Sequence, residues 1–195
     1  LIGIFGSAEG LPNEPDGHFL PPPAPRCYEL LVKQACDRLN VTCIPARLSI
    51  LTRPHNGRAA CHYCGQCNRG CAVNANFSST NVLLAPALAT GKLTLITNAM
   101  AREVTLGRNG RATGVAYFDQ DKREHFQKAR AVVVCANGAE TARLLLMSAN
   151  AKFPDGLANS SGYVGKNLMF NTYAQVHALF EHELNEFKSA QVTRV

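Results

Sequence analysis

The sequence predicts an α/β chain in which a small antiparallel β-sheet excursion returns to a buried strand and then a helix. Three observations predict it. Apolar and polar residues alternate over 93–97, 101–106 and 112–118, the period-two pattern of strands with one covered face. Turn residues at Arg108-Asn109-Gly110 and over 119–122 separate those runs from a further one at 124–128, as hairpins require. The apolar run at 131–136, with Val132, Val133 and Val134 at its centre, then passes through Asn137-Gly138 into a leucine-rich stretch over 139–148. A strand covered on both faces that feeds a helix reads this way, and many dinucleotide-binding folds end their sheet in that order.

The preceding elements follow from local chemistry. Gly3, Gly6, Gly10, Pro12, Pro15, Gly17 and Pro21-Pro22-Pro23 break helix and ladder alike, so residues 1–25 are loop. Cys27, Leu30, Leu31, Ala35, Cys36 and Leu39 recur at steps of three and four, which predicts a helix over 25–39 with Pro25 in its first turn and Glu29, Lys33 and Asp37 on the opposite face. Residues 41–51 read as extended, interrupted at Pro45, and His55-Asn56-Gly57 as a turn. A short helix over 80–89 has Thr80 or Asn81 as its cap and Gly91 as its stop. After Asn150, Gly156, Gly162 and Gly165 predict a long loop, and 172–180 reads as a strand.

Composition excludes several function classes. Apolar residues make up 46% and charged ones 17% of the 195, and no run approaches the ~18 apolar residues of a membrane helix, so no transmembrane segment is expected. The 20 Lys and Arg give a formal charge of +6 but are scattered, with no more than two in a row; no nucleic-acid partner is expected without a clustered basic footprint. The chain opens at Leu1 and both ends read as cuts, which leaves a cytoplasmic or periplasmic location equally open.

Cysteine usage carries the strongest local signal. Of eight cysteines, Cys61, Cys64, Cys67 and Cys71 fall in the pattern CxxCxxCxxxC, the spacing by which bacterial ferredoxins wrap a compact iron–sulfur core. Gly65 and Gly70 permit the tight turns that would bring backbone N–H groups onto sulfur. Zinc, local disulfides and free structural thiols are the competing readings. Cys27, Cys36, Cys43 and Cys135 sit among apolar neighbours and read as small buried hydrophobes. His62 lies between the ligand candidates; the other histidines are isolated and none is assigned to catalysis.

Four stretches, LTLITNAMAREVTL (93–106), RATGVAYFD (111–119), AVVVCANGAETARLLLMSA (131–149) and GLANSSGYVGKNLM (156–169), together resemble the glucose–methanol–choline oxidoreductases, flavoenzymes that oxidise alcohols and sugars. Where the family usually has Ser-Ala-Gly-Ala and a Ser-Pro step, this chain has Cys135-Ala136-Asn137-Gly138 and Thr141-Ala142, which points to a bacterial subgroup. The resemblance implies part of an FAD-binding Rossmann-like fold. It divides the chain into a loop-rich segment at 1–76, where the cysteine-rich stretch 61–71 lies, a central part of the FAD-binding domain at 77–170, and the start of a substrate or catalytic domain at 171–195. It also implies cofactor-binding roles for Ala101, whose main chain would contact the flavin adenine, and for Ala136, Asn137 and Gly138 at the strand-to-helix turn.

No GxGxxG occurs, so the resemblance places the pyrophosphate-binding turn before Leu1, and the family's catalytic histidine after Val195; no catalytic residue is expected within the chain, nor activity from it alone. Some bacterial members carry a cluster on three cysteines, a spacing that Cys61, Cys67 and Cys71 meet with Cys64 spare. The implied function is hydride transfer from the CH–OH group of an alcohol, sugar or sugar acid to FAD, with electrons leaving to an iron–sulfur cluster or to an external acceptor such as a cytochrome or quinone. The alternative is a small metal-binding electron-carrier module without flavin chemistry.

Overall fold

A computed structural model describes residues 2–172 and 174–190. Two compact units divide the chain: one takes residues up to Thr94 together with those from His177 onward, the other Leu95–Val176.

The second unit is built on three antiparallel strands in the order β1-β2-β3: β1 Met100–Leu106, β2 Ala112–Phe118 and β3 Glu124–Lys128. The register runs from Met100 opposite Phe118 to Leu106 opposite Ala112, and from Gly114 opposite Lys128 to Phe118 opposite Glu124. Gly107 and Arg111 close the first hairpin through a 2.9 Å backbone bond. Asp119 closes the second by accepting from the backbone N–H of Asp121 and Arg123, each at 2.9 Å. Helix α3, Asn137–Met147, packs on β1. Val104, Ala116 and Leu144 are buried there, and buried Ser148 joins helix to strand: its Oγ accepts from Val104 N at 2.9 Å and donates to the Leu144 carbonyl at 2.6 Å.

The first unit is mostly irregular. Phe5 bridges both Leu20 and Leu48, and Ile50 bridges Asn76. Phe5, Ala46, Ile50 and Ala190 form its buried core, with Leu20, Leu48, Cys61, Tyr63 and Cys67 packed against it. Helix α1 spans Cys27–Arg38. A π-turn at Ser79–Leu83 runs into α2, Leu84–Ala89. The cap is Ser78, whose Oγ accepts from Asn81 N at 3.1 Å, rather than Thr80 or Asn81. Gly91 follows α2 at φ +68, a conformation that ends helices.

Other expectations are corrected. Residues 93–97 form no strand, because β2 ends at Phe118 opposite Met100 and the chain then turns, so among the described residues no strand continues beside them. Residues 131–136 are likewise unpaired, and Val133 is 84% exposed: a doubly covered strand exists only between neighbouring strands, and among the described residues none lies beside it. Residues 174–180 form no strand either, while Tyr173 lies outside the described residues.

The apolar face of α1 stays open, with Leu30, Val32 and Leu39 exposed, whereas Glu29 is buried. Its carboxylate accepts from Arg26 N at 2.8 Å and pairs with the Arg26 guanidinium at 3.0 Å, so a charge placed on the polar face becomes the N-terminal cap. Lys33 and Asp37 do pair in solvent, at 2.9 Å. Cys27 and Cys135 are exposed, and Cys36 and Cys43 half-buried; none is a fully buried hydrophobe. No helix among the described residues is long and apolar enough to cross a membrane.

Candidate functional site

An open groove of about 820 Å³ lies in the sheet-and-helix unit, within the ~300–1,000 Å³ range of small-molecule sites. Its walls are the start of β1, the β2–β3 turn and the N-terminal turns of α3. Ala101, Ala136 and Asn137, three of the residues that the sequence suggests for cofactor contact, line it together. Gly138 stands beside them in α3 but does not line the groove, and a side chain there would meet open space.

Local geometry explains why those positions face outward. The β1–β2 register slips between Ala101 and Glu103; such a bulge re-aims the main chain at a strand end. Asn137 takes φ +58, in the left-handed region that Asn tolerates better than most residues. Its Oδ1 accepts from Glu140 N at 3.1 Å, so the residue that turns the chain also caps the helix it starts. Ala99, Ala101 and Ala136 keep this part of the wall low, exposing backbone rather than side chain.

Sequence reasoning missed three charged residues of the groove: Asp119, Glu140 and Arg143. Glu140 and Arg143 are an i,i+3 ion pair at 2.5 Å, a spacing readable from the sequence but overshadowed by the leucines around it. Asp119 is bonded to His125 Nε2 at 2.7 Å, and the His125 ring stacks on Tyr117 at 5.3 Å. The His125 hydrogen bond, reinforced by the Arg123 and Asp121 backbone N–H groups, holds the Asp119 carboxyl below its ordinary range.

Cys61, Cys64, Cys67 and Cys71 line one small cavity in the other unit, with His62 at its edge. Cys61 N is bonded to the Leu51 carbonyl at 2.8 Å, and a 3₁₀ turn at Cys67–Arg69 follows. Gly65 at φ +70 brings its backbone against the Phe187 carbonyl, where a Cβ would sit 2.8 Å from the oxygen. Backbone N–H groups reach sulfur from Tyr63, to Cys61 Sγ at 3.3 Å, and from Asn76, to Cys71 Sγ at 3.4 Å. Burial pushes the Cys61 thiol up, and the Tyr63 N–H acts against it.

The cavity measures about 10 Å³, roughly one water's worth of space. Among the described residues no three His, Cys, Asp or Glu side chains stand where they could hold a metal ion. The donor set therefore suits iron–sulfur chemistry in kind and shares one cavity, but the expected ligand cage is not preformed. Close spacing along the chain brings thiols to one hollow without converging them, because the intervening turns answer to the core packed beneath.

A family model for GMC oxidoreductases matches residues 28–172, which takes in both the cysteine loop and the groove. The chain is 38% identical to a 2-methyl-1,2-propanediol dehydrogenase of Mycolicibacterium austroafricanum over 87% of its own length and 31% of that protein's. It is 34% identical to the fructose dehydrogenase large subunit of Gluconobacter japonicus, covering 60% of the chain and 21% of the relative. With a paromamine 6'-oxidase of Streptomyces fradiae it shares 32% identity, covering 86% and 30%. The chain thus spans under a third of the length of each of these relatives.

Proposed function

The chain belongs to the GMC oxidoreductases, whose N-terminal domain is an FAD-binding Rossmann-like fold, and we propose that the protein carrying it is an FAD-dependent dehydrogenase acting on the CH–OH groups of alcohols, sugars or sugar acids. One observation carries the reading: Ala101 and the adjacent pair Ala136-Asn137, some 35 residues on, line a single groove of small-molecule size. Residues 77–170 then form the central part of the FAD-binding domain, and residues from 171 begin the substrate domain. FAD, when bound, supplies the two-electron acceptor for substrate hydride. The residues present bind and orient: low alanine walls admit a flat ring system, and the backbone at Ala101 offers hydrogen-bonding groups to its edge.

The names of relatives support the substrate class, since they include a diol dehydrogenase and a fructose dehydrogenase subunit. An electron-carrier module without flavin chemistry is the weaker reading, because the family match extends through the groove and not over the cysteine loop alone. The test is anaerobic addition of diols, sugars and sugar acids to the full-length protein. Bleaching of bound flavin by one of these classes is the expected result; a purified protein that holds no flavin and takes none up would overturn the reading.

For Cys61, Cys64, Cys67 and Cys71 we propose ligation of an iron–sulfur cluster, which requires the thiols to draw inward from their present positions. The shared cavity and the two N–H···S bonds support it, since such bonds stabilise thiolate ligands. Iron and acid-labile sulfide should be present in anaerobically prepared full-length protein and lost in Cys67→Ser. Retention in Cys64→Ser would select the set Cys61, Cys67 and Cys71, whereas stoichiometric zinc without sulfide would sink the assignment.

A further inference from the structure

Arg143 is the one cation of α3's opening turns that reaches back to β1. Its Nη2 donates to the Ala101 carbonyl at 3.3 Å, its Nε to Glu140 Oε2 at 2.5 Å and its Nη1 to Met147 Sδ at 2.9 Å. Three partners in three directions fix the plane of a guanidinium that is still about a third exposed. Ala101 is where such a tie has most effect, because the register slip between Ala101 and Glu103 weakens the hold of the ladder on this strand end.

Electrostatics narrow what the groove accepts here. An open helix N-terminus favours an anion, but the first turn of α3 already carries Glu140, and Asn137 Oδ1 already accepts from Glu140 N. Glu140 also neutralises Arg143. A phosphate is therefore disfavoured at this wall, and an uncharged ring with an amino donor suits it: a carbonyl has two lone pairs, so Ala101 O can accept from Arg143 and from a ligand N–H together.

We propose that Arg143 and Glu140 are a positioning pair that sets the Ala101 carbonyl for the adenine end of FAD, an inference that rests on the flavin reading above. Arg143 acts through the backbone of Ala101; Glu140 acts through Arg143. The small walls at Ala99 and Ala136 leave room for a flat ring to turn its edge to that carbonyl.

The test uses the full-length protein stripped of flavin, titrated with FAD, with ADP as a competitor carrying the adenine end and with FMN, which lacks it. Arg143→Met should weaken FAD and ADP about ten-fold, as loss of one charge-assisted hydrogen bond does, and leave FMN unchanged. Arg143→Lys, which keeps a donor, should recover most of the affinity, and Glu140→Gln should fall between. Ser148→Ala controls for general loosening of α3 on β1, since it removes a buried tie without touching Arg143; it should lower the apoprotein melting temperature while FAD affinity holds. Unchanged or tighter FAD binding in Arg143→Met, or equal losses for FAD and FMN, or an equal loss in Ser148→Ala, would overturn the proposal. Wild-type apoprotein that binds no FAD would bring down the flavin reading itself, a result distinct from all of these.

Discussion

In the unit Leu95–Val176, Gly107 N bonds Arg111 O and Asp119 N bonds Arg123 O, each within one hairpin. In the other unit Phe5 N reaches Leu48 O, Leu51 N reaches Ala75 O and Phe77 N reaches Ser49 O. The first kind of contact is made by neighbours in sequence, through turn chemistry and alternation. The second closes long loops, and its entropy cost is offset where it ends on a buried group: Phe5, Ile50 and Leu51 are the largest fully buried side chains of the described residues, and all lie in this unit. The sheet side of the groove therefore forms locally, and only its α3 wall depends on a long-range tie. The cysteine loop sits on a scaffold that exists only when distant segments meet.

That contrast can be broken, most directly at Phe5. Phe5→Ala should cost about 3–5 kcal/mol, the usual range for emptying a buried aromatic site, and denaturant unfolding followed by limited proteolysis should show the cysteine-bearing unit cleaved first. A loss under about 1 kcal/mol would mean that the loop network does not depend on its core. In the sheet, Gly114→Ala would place a Cβ 2.2 Å from the Gln127 carbonyl oxygen and 2.7 Å from the Phe126 ring. Because backbone must yield, about 3 kcal/mol is expected, the upper end for overpacking, with β3 rather than β1 losing protection in hydrogen exchange.

Ser148→Ala sharpens the comparison by testing the long-range tie within the local unit. It leaves Val104 N–H without its partner, and loss of a buried hydrogen bond costs about 1–3 kcal/mol, read as a fall in melting temperature. The smallest effect belongs to Asp119→Asn. The Asp119 carboxyl is held below its ordinary value of 3.8 chiefly by His125, so its contribution is present above the carboxylate range and disappears as pH falls through it. At neutral pH the variant should melt slightly below wild type, and the gap should close in acid; a gap that widens on acidification would refute the assignment.

The expectations that held are those set by neighbours. Alternation and Asn-Gly turn chemistry placed β2 at 112–118 and β3 at 124–128 with the bounds expected, and the helical repeat placed α1 within two residues of its observed start. His55-Asn56-Gly57 closes as a tight turn, with His55 and Arg58 exchanging two backbone bonds of 3.0 Å. The resemblance of their stretches singled out Ala101, Ala136 and Asn137 together, and the structure lines one groove with them; their contact with a cofactor is the proposal made above.

Tertiary structure decided what depends on who stands opposite. The valines at 132–134 look like a central strand, yet strand is a relation between segments, and among the described residues no neighbour flanks them. Glu29 reads as a surface charge until Arg26 and the helix N-terminus close around it. The i,i+3 spacing of Glu140 and Arg143 is plain in the sequence, but the bond from Arg143 to the carbonyl of Ala101 crosses from helix to strand, and only packing sets that distance. For the cysteine loop, spacing determined that four thiols share a cavity; their separation within it is set by the core at Phe5 and Ile50 and by the Phe187 carbonyl against Gly65, contacts made by residues far from 61–71 that no local spacing encodes.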